Sequence, residues 1–193
     1  MGASIEGGPV QFVILGLLLS GPLSLYDLQK RFAAGISLFY SASSGSIQRA
    51  LQHLAADGAV VVADADDSRR GRKVHAITDD GRQRWRAFML APIADGTDAE
   101  TIVLAKVFLL GRLESPEDRS AVVRGIRAHI DSSTGILRAL ADDVDARSAG
   151  LDDDARRIFT FQRATLDYGL SLAHACPPTS SIHWRSRACE RSP

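Results

Sequence analysis

Cysteine is almost missing from this 193-residue chain: Cys176 and Cys189 are the only two, both within the last eighteen residues. A disulfide framework inside the core is thereby excluded, and nothing points to an oxidising compartment. Long apolar runs are also lacking. The longest, residues 12–15 and 17–19 on either side of Gly16, fall far short of the roughly 18 residues that a membrane-spanning helix needs. No basic residue precedes Lys30, so a secretory leader with a positive start is not expected. The chain is read as cytoplasmic, with no membrane partner. Excess charge of one sign is absent too, since Lys+Arg and Asp+Glu number 23 each, which removes any global attraction to nucleic acid or anionic lipid. Such attraction has to be local. Lysine is scarce, three against twenty arginines, so most surface cations are guanidinium groups, whose fork matches phosphate and guanine edges.

What is present suits one compact domain or two small ones: 45% hydrophobic and 24% charged residues, enough apolar material for a core. Charge is uneven along the chain. Residues 1–90 carry 10 basic and 8 acidic side chains, and residues 91–175 carry 10 and 14. Within the first segment the basic residues crowd at Arg69, Arg70, Arg72 and Lys73.

Residues 9–20 are apolar almost all round, the pattern of a helix buried on several sides, ended by Ser20-Gly21-Pro22. Ser24 then reads as an N-cap for a short amphipathic helix with Leu25, Leu28 and Phe32 on one face, closed at Gly35. A third helix starts at Ser43 or Ser44, with Ile47, Ala50, Leu51 and Leu54 as its apolar stripe and Asp57-Gly58 as its end. Valine-rich residues 59–65 read as a buried strand and residues 73–78 as a second one. The polar, glycine-containing segment 66–72 joins them into a hairpin. Thr78-Asp79-Asp80 opens another helix carrying Trp85, Phe88 and Met89, and Pro92 stops it. Three helices, a hairpin and a further helix in this order predict a winged helix-turn-helix, whose third helix enters the DNA major groove and whose hairpin is the wing.

From residue 98 the pattern is wholly helical. Residues 98–112 form one segment and Pro116 opens a long second one, with Val123, Ile126, Ile130, Leu137 and Val144 as its seam. Residues 152–175 form a third, with two apolar stripes: Ile158, Phe161, Thr165, Tyr168 and Leu172, and Phe159, Leu166 and Leu170. Two stripes require cover from two directions, one from the helix's own domain and one from a second subunit. The expected fold is therefore mainly α with a small β-hairpin: a DNA-binding domain over residues 1–92, an all-helical dimerisation domain over 93–175, and a tail over 176–193.

Setting Ile47, Leu51 and Leu54 toward the core leaves Gln48, Arg49 and Gln52 on the opposite face of the third helix, with Ser44 and Ser46 near its N-terminus. Arginine pairs bidentately with guanine and glutamine with adenine, while serines at a positive helix end suit a phosphate. Arg69, Arg70, Arg72 and Lys73 around Gly71 suit a phosphate backbone or a narrow minor groove. Phe12, Trp85 and Phe88 are candidates to line an apolar effector pocket, or else plain core. His174, Cys176, His183 and Cys189 lack the close spacing of a metal-ligand pair, so no metal or other cofactor is expected. With no nucleophile motif, P-loop or dinucleotide fingerprint, no catalytic residue and no enzyme activity are expected.

The segments Ile14-Leu15-Gly16-Leu17-Leu18 to Gly21-Pro22-Leu23, Tyr26-Asp27-Leu28, Gly45-Ser46-Ile47, Ala50-Leu51, Leu54, Asp57-Gly58, and Gly71-Arg72-Lys73 to Thr78-Asp79-Asp80-Gly81-Arg82 resemble the PadR family of bacterial transcriptional regulators over roughly residues 10–90. The helical remainder is similar to the larger members, which dimerise through a C-terminal helical domain. Gln48-Arg49 stands where the family usually has Tyr-Pro, and His53 where arginine is common. The resemblance implies a homodimer, usually a repressor, bound to a near-palindromic double-stranded operator and released by a small molecule. The other reading of the same pattern is a winged-helix module for protein interaction or ligand binding that does not bind DNA. If the wing grips phosphates, Arg70→Ala or Arg72→Ala weakens binding to all DNA sequences alike and lowers the slope of log K against log salt by about one, as anisotropy titrations across salt concentrations would read out.

Overall fold

Helix α1 (Pro9–Leu18) has proline at its first position, where a missing N–H costs nothing, and buries every residue from Phe12 to Leu18. It packs against elements on several sides, as an all-round apolar helix must. The structure, a computed structural model, describes residues 8–38, 40–64 and 73–175. These divide into two compact units, one ending at Ile126 and one starting at Arg127.

In the first unit, α2 (Leu25–Ala34) begins with a capping box. Ser24 Oγ accepts from the Asp27 N–H, and the Asp27 carboxylate accepts from the Ser24 N–H. Helix α3 (Ser44–Ala56) is capped by Ser43, whose Oγ accepts from the Ser46 N–H at 3.1 Å. It ends in a Schellman motif: Gly58 takes φ +73°, the Ala59 N–H donates to Leu54 O at 2.9 Å, and the Gly58 N–H donates to Ala55 O at 3.2 Å. Strands β2 (Val60–Asp64) and β3 (Lys73–Ile77) pair antiparallel as predicted. The sheet has a third member, the two-residue β1 (Leu23–Ser24), which pairs with β3 and gives the order β1-β3-β2. Two residues carry no periodicity, so sequence patterning does not register this strand.

Helix α4 (Asp79–Leu90) is clamped onto the turn after α3. Thr78 Oγ1 accepts from the Gly81 N–H at 3.1 Å and donates to Gly58 O at 2.8 Å. A Cβ on Gly81 would overlap the Ala59 carbonyl oxygen, so glycine is required for this approach. Helix α5 (Ala99–Leu109) packs on α1, and α6 (Pro116–Arg147) starts at Pro116 as predicted.

In the second unit, α6 continues and α7 (Asp153–Ala175) follows, with Asp152 Oδ1 accepting from the Ala155 N–H at 2.8 Å. Arg163 holds Asp145 with a two-pronged contact of 2.8 and 3.0 Å and also reaches Asp167. That guanidinium lowers the pKa of the Asp145 carboxyl. The α6 seam differs in part from the expected one: Val122, Ile126, Thr134 and Ala141 are its most buried positions, whereas Val123, Ile130, Leu137 and Val144 are half-buried. Small residues let helices approach closely, so the tightest positions do not have to be the largest apolar ones.

Lys106 in α5 is only 2% exposed. Its Nζ donates to Ala91 O at 2.5 Å at the end of α4 and lies 5.1 Å from the centre of the Phe88 ring. Burial pushes its pKa down to about 8. Below that pH the lysine is protonated in the folded and unfolded chains alike, and folding carries the full desolvation cost. Above it the folded chain releases the proton first, the unfolded chain binds more protons, and stability rises with pH. The stability of the native chain relative to Lys106→Met is therefore expected to be flat up to about pH 7.5 and to climb by on the order of 2 kcal/mol from pH 8 to 10, measured by urea denaturation. A difference that stays level through this window would show that the ammonium is not desolvated.

Candidate nucleic-acid interface

Because both ends of α3 are capped and its apolar stripe is buried, its other face is fixed in direction. Ile47, Ala50, Leu51 and Leu54 are all at most 4% exposed. Gln48, Arg49 and Gln52 are exposed, as their positions in the stripe predict. An arginine flanked by two glutamines on a solvent-facing helix provides bidentate donor and acceptor groups of the kind that read base edges.

The two serines are placed differently from one another. Ser46 Oγ donates to Ser43 O at 2.8 Å, so its hydrogen is committed to the helix start instead of facing a phosphate. Ser44 Oγ accepts from Gln29 Nε2 at 2.5 Å, which ties α2 to α3 and leaves the hydroxyl hydrogen of Ser44 able to donate outward.

Lys73 opens β3, is exposed, and lies opposite Asp64 across the hairpin. Arg69, Arg70 and Arg72 lie outside the described residues, as do Cys176, His183 and Cys189. The valine run is not buried throughout. Val60 is 2% exposed, whereas Val61 and Val62 are 51% and 47% exposed, because the hairpin extends beyond the helices that cover its base.

Sequence reasoning missed the cleft of about 900 Å³ between α2, α3 and the hairpin. Gln48 and Gln52 line it together with Tyr26, Leu51, Val62 and His75. Tyr26, 68% exposed, lies off the Leu25, Leu28 and Phe32 stripe of α2. An aromatic residue off the apolar stripe is the signal that marks it in the sequence.

Phe12, Trp85 and Phe88 are core residues, 4%, 3% and 7% exposed, and Phe12 and Phe88 stack on each other. Their apolar surface is used where α1 meets α4. Trp85 Nε1 is buried there with no hydrogen-bond partner among the described residues. A sealed donor of this kind costs stability relative to a paired one. In α7, Ile158, Phe161 and Tyr168 are 56%, 74% and 68% exposed, and Thr165 is exposed beside them. Phe159, Leu166 and Leu170 are partly covered. The side chain of Leu172, the last member of the exposed stripe, lies outside the described residues. No described helix is long and apolar enough to cross a membrane.

Comparison with solved structures finds chains of similar size. Bacillus subtilis PadR in complex with operator DNA is 20% identical, with 86% of this chain and 94% of that one covered and a TM-score of 0.42. The PadR-like regulator BC1756 from Bacillus cereus is 21% identical, with 86% and 98% covered and a TM-score of 0.39. The Vibrio cholerae virulence activator AphA is 22% identical, with 86% and 90% covered and a TM-score of 0.39. No curated protein sequence matches. The transcriptional regulator PadR-like family model matches residues 14–87, from within α1 to near the end of α4, the stretch that holds the capped third helix and the hairpin. Over that stretch the chain is similar to the PadR-like family of transcriptional regulators.

Proposed function

We propose that this protein is a transcriptional regulator, a cytoplasmic homodimer that binds a near-palindromic operator in double-stranded DNA as a repressor and leaves it when a small apolar or aromatic effector binds. The similarity of residues 14–87 to a family of transcriptional regulators supports a role other than catalysis. The observation that carries the reading is the outward face of α3. Gln48, Arg49 and Gln52 are exposed side by side on a helix fixed at both ends. Arg49 is assigned to a guanine, Gln48 and Gln52 to adenines, and Ser44, Ser46, Lys73 and the wing residues Arg69, Arg70 and Arg72 to the phosphate backbone. Of these, Ser46 contributes only through its place at the positive helix end, since its N–H and its hydroxyl hydrogen are both used by Ser43.

Dimerisation is assigned to Ile158, Phe161, Thr165, Tyr168 and Leu172 of α7. Large apolar side chains exposed at helical spacing are what an unpartnered coiled seam presents. Residues 1–92 then act as the DNA-binding part, 93–175 as the dimerisation part and 176–193 as a tail. A two-fold dimer sets its reading helices about 34–36 Å apart, or a multiple of that. The effector is placed at the packing of Phe12, Trp85 and Phe88, where a ligand bringing an acceptor would satisfy the buried Trp85 Nε1.

Selection of bound sequences from a random DNA pool is expected to return two half-sites at the dimer spacing. Arg49→Ala then weakens the selected operator by about 1–3 kcal/mol and relaxes the preference at one base pair, with little effect on random DNA. Equal losses on both DNAs remove the base-reading role of Arg49, and no specific complex with any sequence favours the protein-interaction reading. For the dimer, Phe161→Glu combined with Tyr168→Glu is expected to give a monomer in sedimentation analysis with helical content retained. A double variant that stays dimeric places the interface elsewhere.

A further inference from the structure

The sheet face turned toward α2 and α3 runs from core to solvent in three steps. Val60 pairs with Ile77, both at most 9% exposed, then Val62 with His75, then Asp64 with Lys73. Side chains two residues apart share a face, so this row forms one wall of a wedge whose opposite wall is α3. The core closes at Val60 and splays open at Val62. Leu51, 3% exposed, lies at the floor, and Ala55 leaves room at the last turn of α3 where a larger side chain would fill the gap. The resulting cleft of about 900 Å³ is within the size range of small-molecule sites, roughly 300–1,000 Å³.

We propose that this cleft binds a small, neutral aromatic molecule, and that its occupancy excludes DNA directly. The site is separate from the packing of Phe12, Trp85 and Phe88. Its walls are apolar and aromatic through Tyr26, Leu51, Ala55 and Val62. The charged groups lining it are one of each sign, Lys73 and Asp27. The Asp27 carboxylate is held by the Ser24 N–H at 3.0 Å and the Ser24 hydroxyl at 2.6 Å. An ionic ligand would lose hydration without finding a net opposite charge, whereas a neutral ring loses little. The amides of Gln48 and Gln52, each both donor and acceptor, suit a polar edge on such a ring. Since the same two side chains are assigned to base reading, ligand and DNA compete for them. That exclusion rests on the DNA-reading role given to α3 above; ligand binding itself does not.

The test uses the full chain and two dyes on one ring skeleton, neutral N-phenyl-1-naphthylamine and anionic 1-anilinonaphthalene-8-sulfonate. The neutral dye is expected to bind saturably and at least about tenfold more tightly than the sulfonate. Ala55→Trp, which fills the cleft, and Val62→Asp, on the exposed strand wall, each lower its affinity about tenfold or more. Both are checked for unchanged circular dichroism and thermal unfolding, and Asp131→Asn, at an exposed position of α6, leaves dye binding as it was. The selected operator displaces the dye. Dye binding that is indifferent to both cleft variants, or tighter for the sulfonate, overturns the site. Dye and operator bound together overturn the exclusion. A chain that binds dye in the cleft but no DNA keeps the ligand site and overturns the DNA-reading role, and the exclusion with it.

Discussion

The first unit depends on the burial of α1. A helix that is apolar on every side cannot rest at a surface, and here α3, α4, α5 and β3 all pack against it. Gly16 allows α4 and α5 to approach closely, since a Cβ there would press on the Leu109 side chain and on Trp85 Nε1. Glycine inside a helix costs roughly 0.5–1 kcal/mol relative to alanine, a cost offset by bringing α4 and α5 against the same helix. Leu109 and Trp85, which close over Gly16, are 1% and 3% exposed.

From that post α3 inherits its direction. Helix α3 is held by its buried stripe, by the Ser43 cap, by the Schellman ending at Gly58, and by the hydrogen bond from Gln29 to Ser44. The turn that ends α3 also receives the start of α4 through Thr78. Few single rotations are left to the helix that do not break one of these contacts, so Gln48, Arg49 and Gln52 form a preorganised surface. The cover over the hairpin strands changes along their length. The base of the hairpin is core and its outer part bears exposed valines, which suits an element that touches a partner instead of completing a fold.

Two buried polar groups run against the apolar logic of this core. Trp85 Nε1 has no partner among the described residues, and Lys106 answers its burial with one carbonyl and one aromatic face. Neither is the cheapest residue for its position, since apolar side chains of similar volume avoid the desolvation cost. Both are on helices that pack with α1, so changes in their surroundings act on the same post that sets the direction of α3. Polar exceptions in a core are where a fold retains something beyond stability.

Much of this architecture was legible before any coordinates. The all-round apolar pattern of residues 9–20, the Ser24 and Thr78 caps, the Asp57-Gly58 stop and the Pro116 start depend on local backbone chemistry, which a few neighbouring residues decide. The outward placement of Gln48, Arg49 and Gln52 followed from the 3.6-residue period alone. Strand β1, the Gly81 contact with Ala59, the commitment of the Ser46 hydroxyl and the wedge between Val62 and α3 were not legible. The valine run could not show where its cover ends, because that depends on how far α2 and α3 reach over the sheet. Period and capping belong to residues a turn apart, whereas burial, register and cavities belong to residues far apart in the chain, and only their packing brings those together.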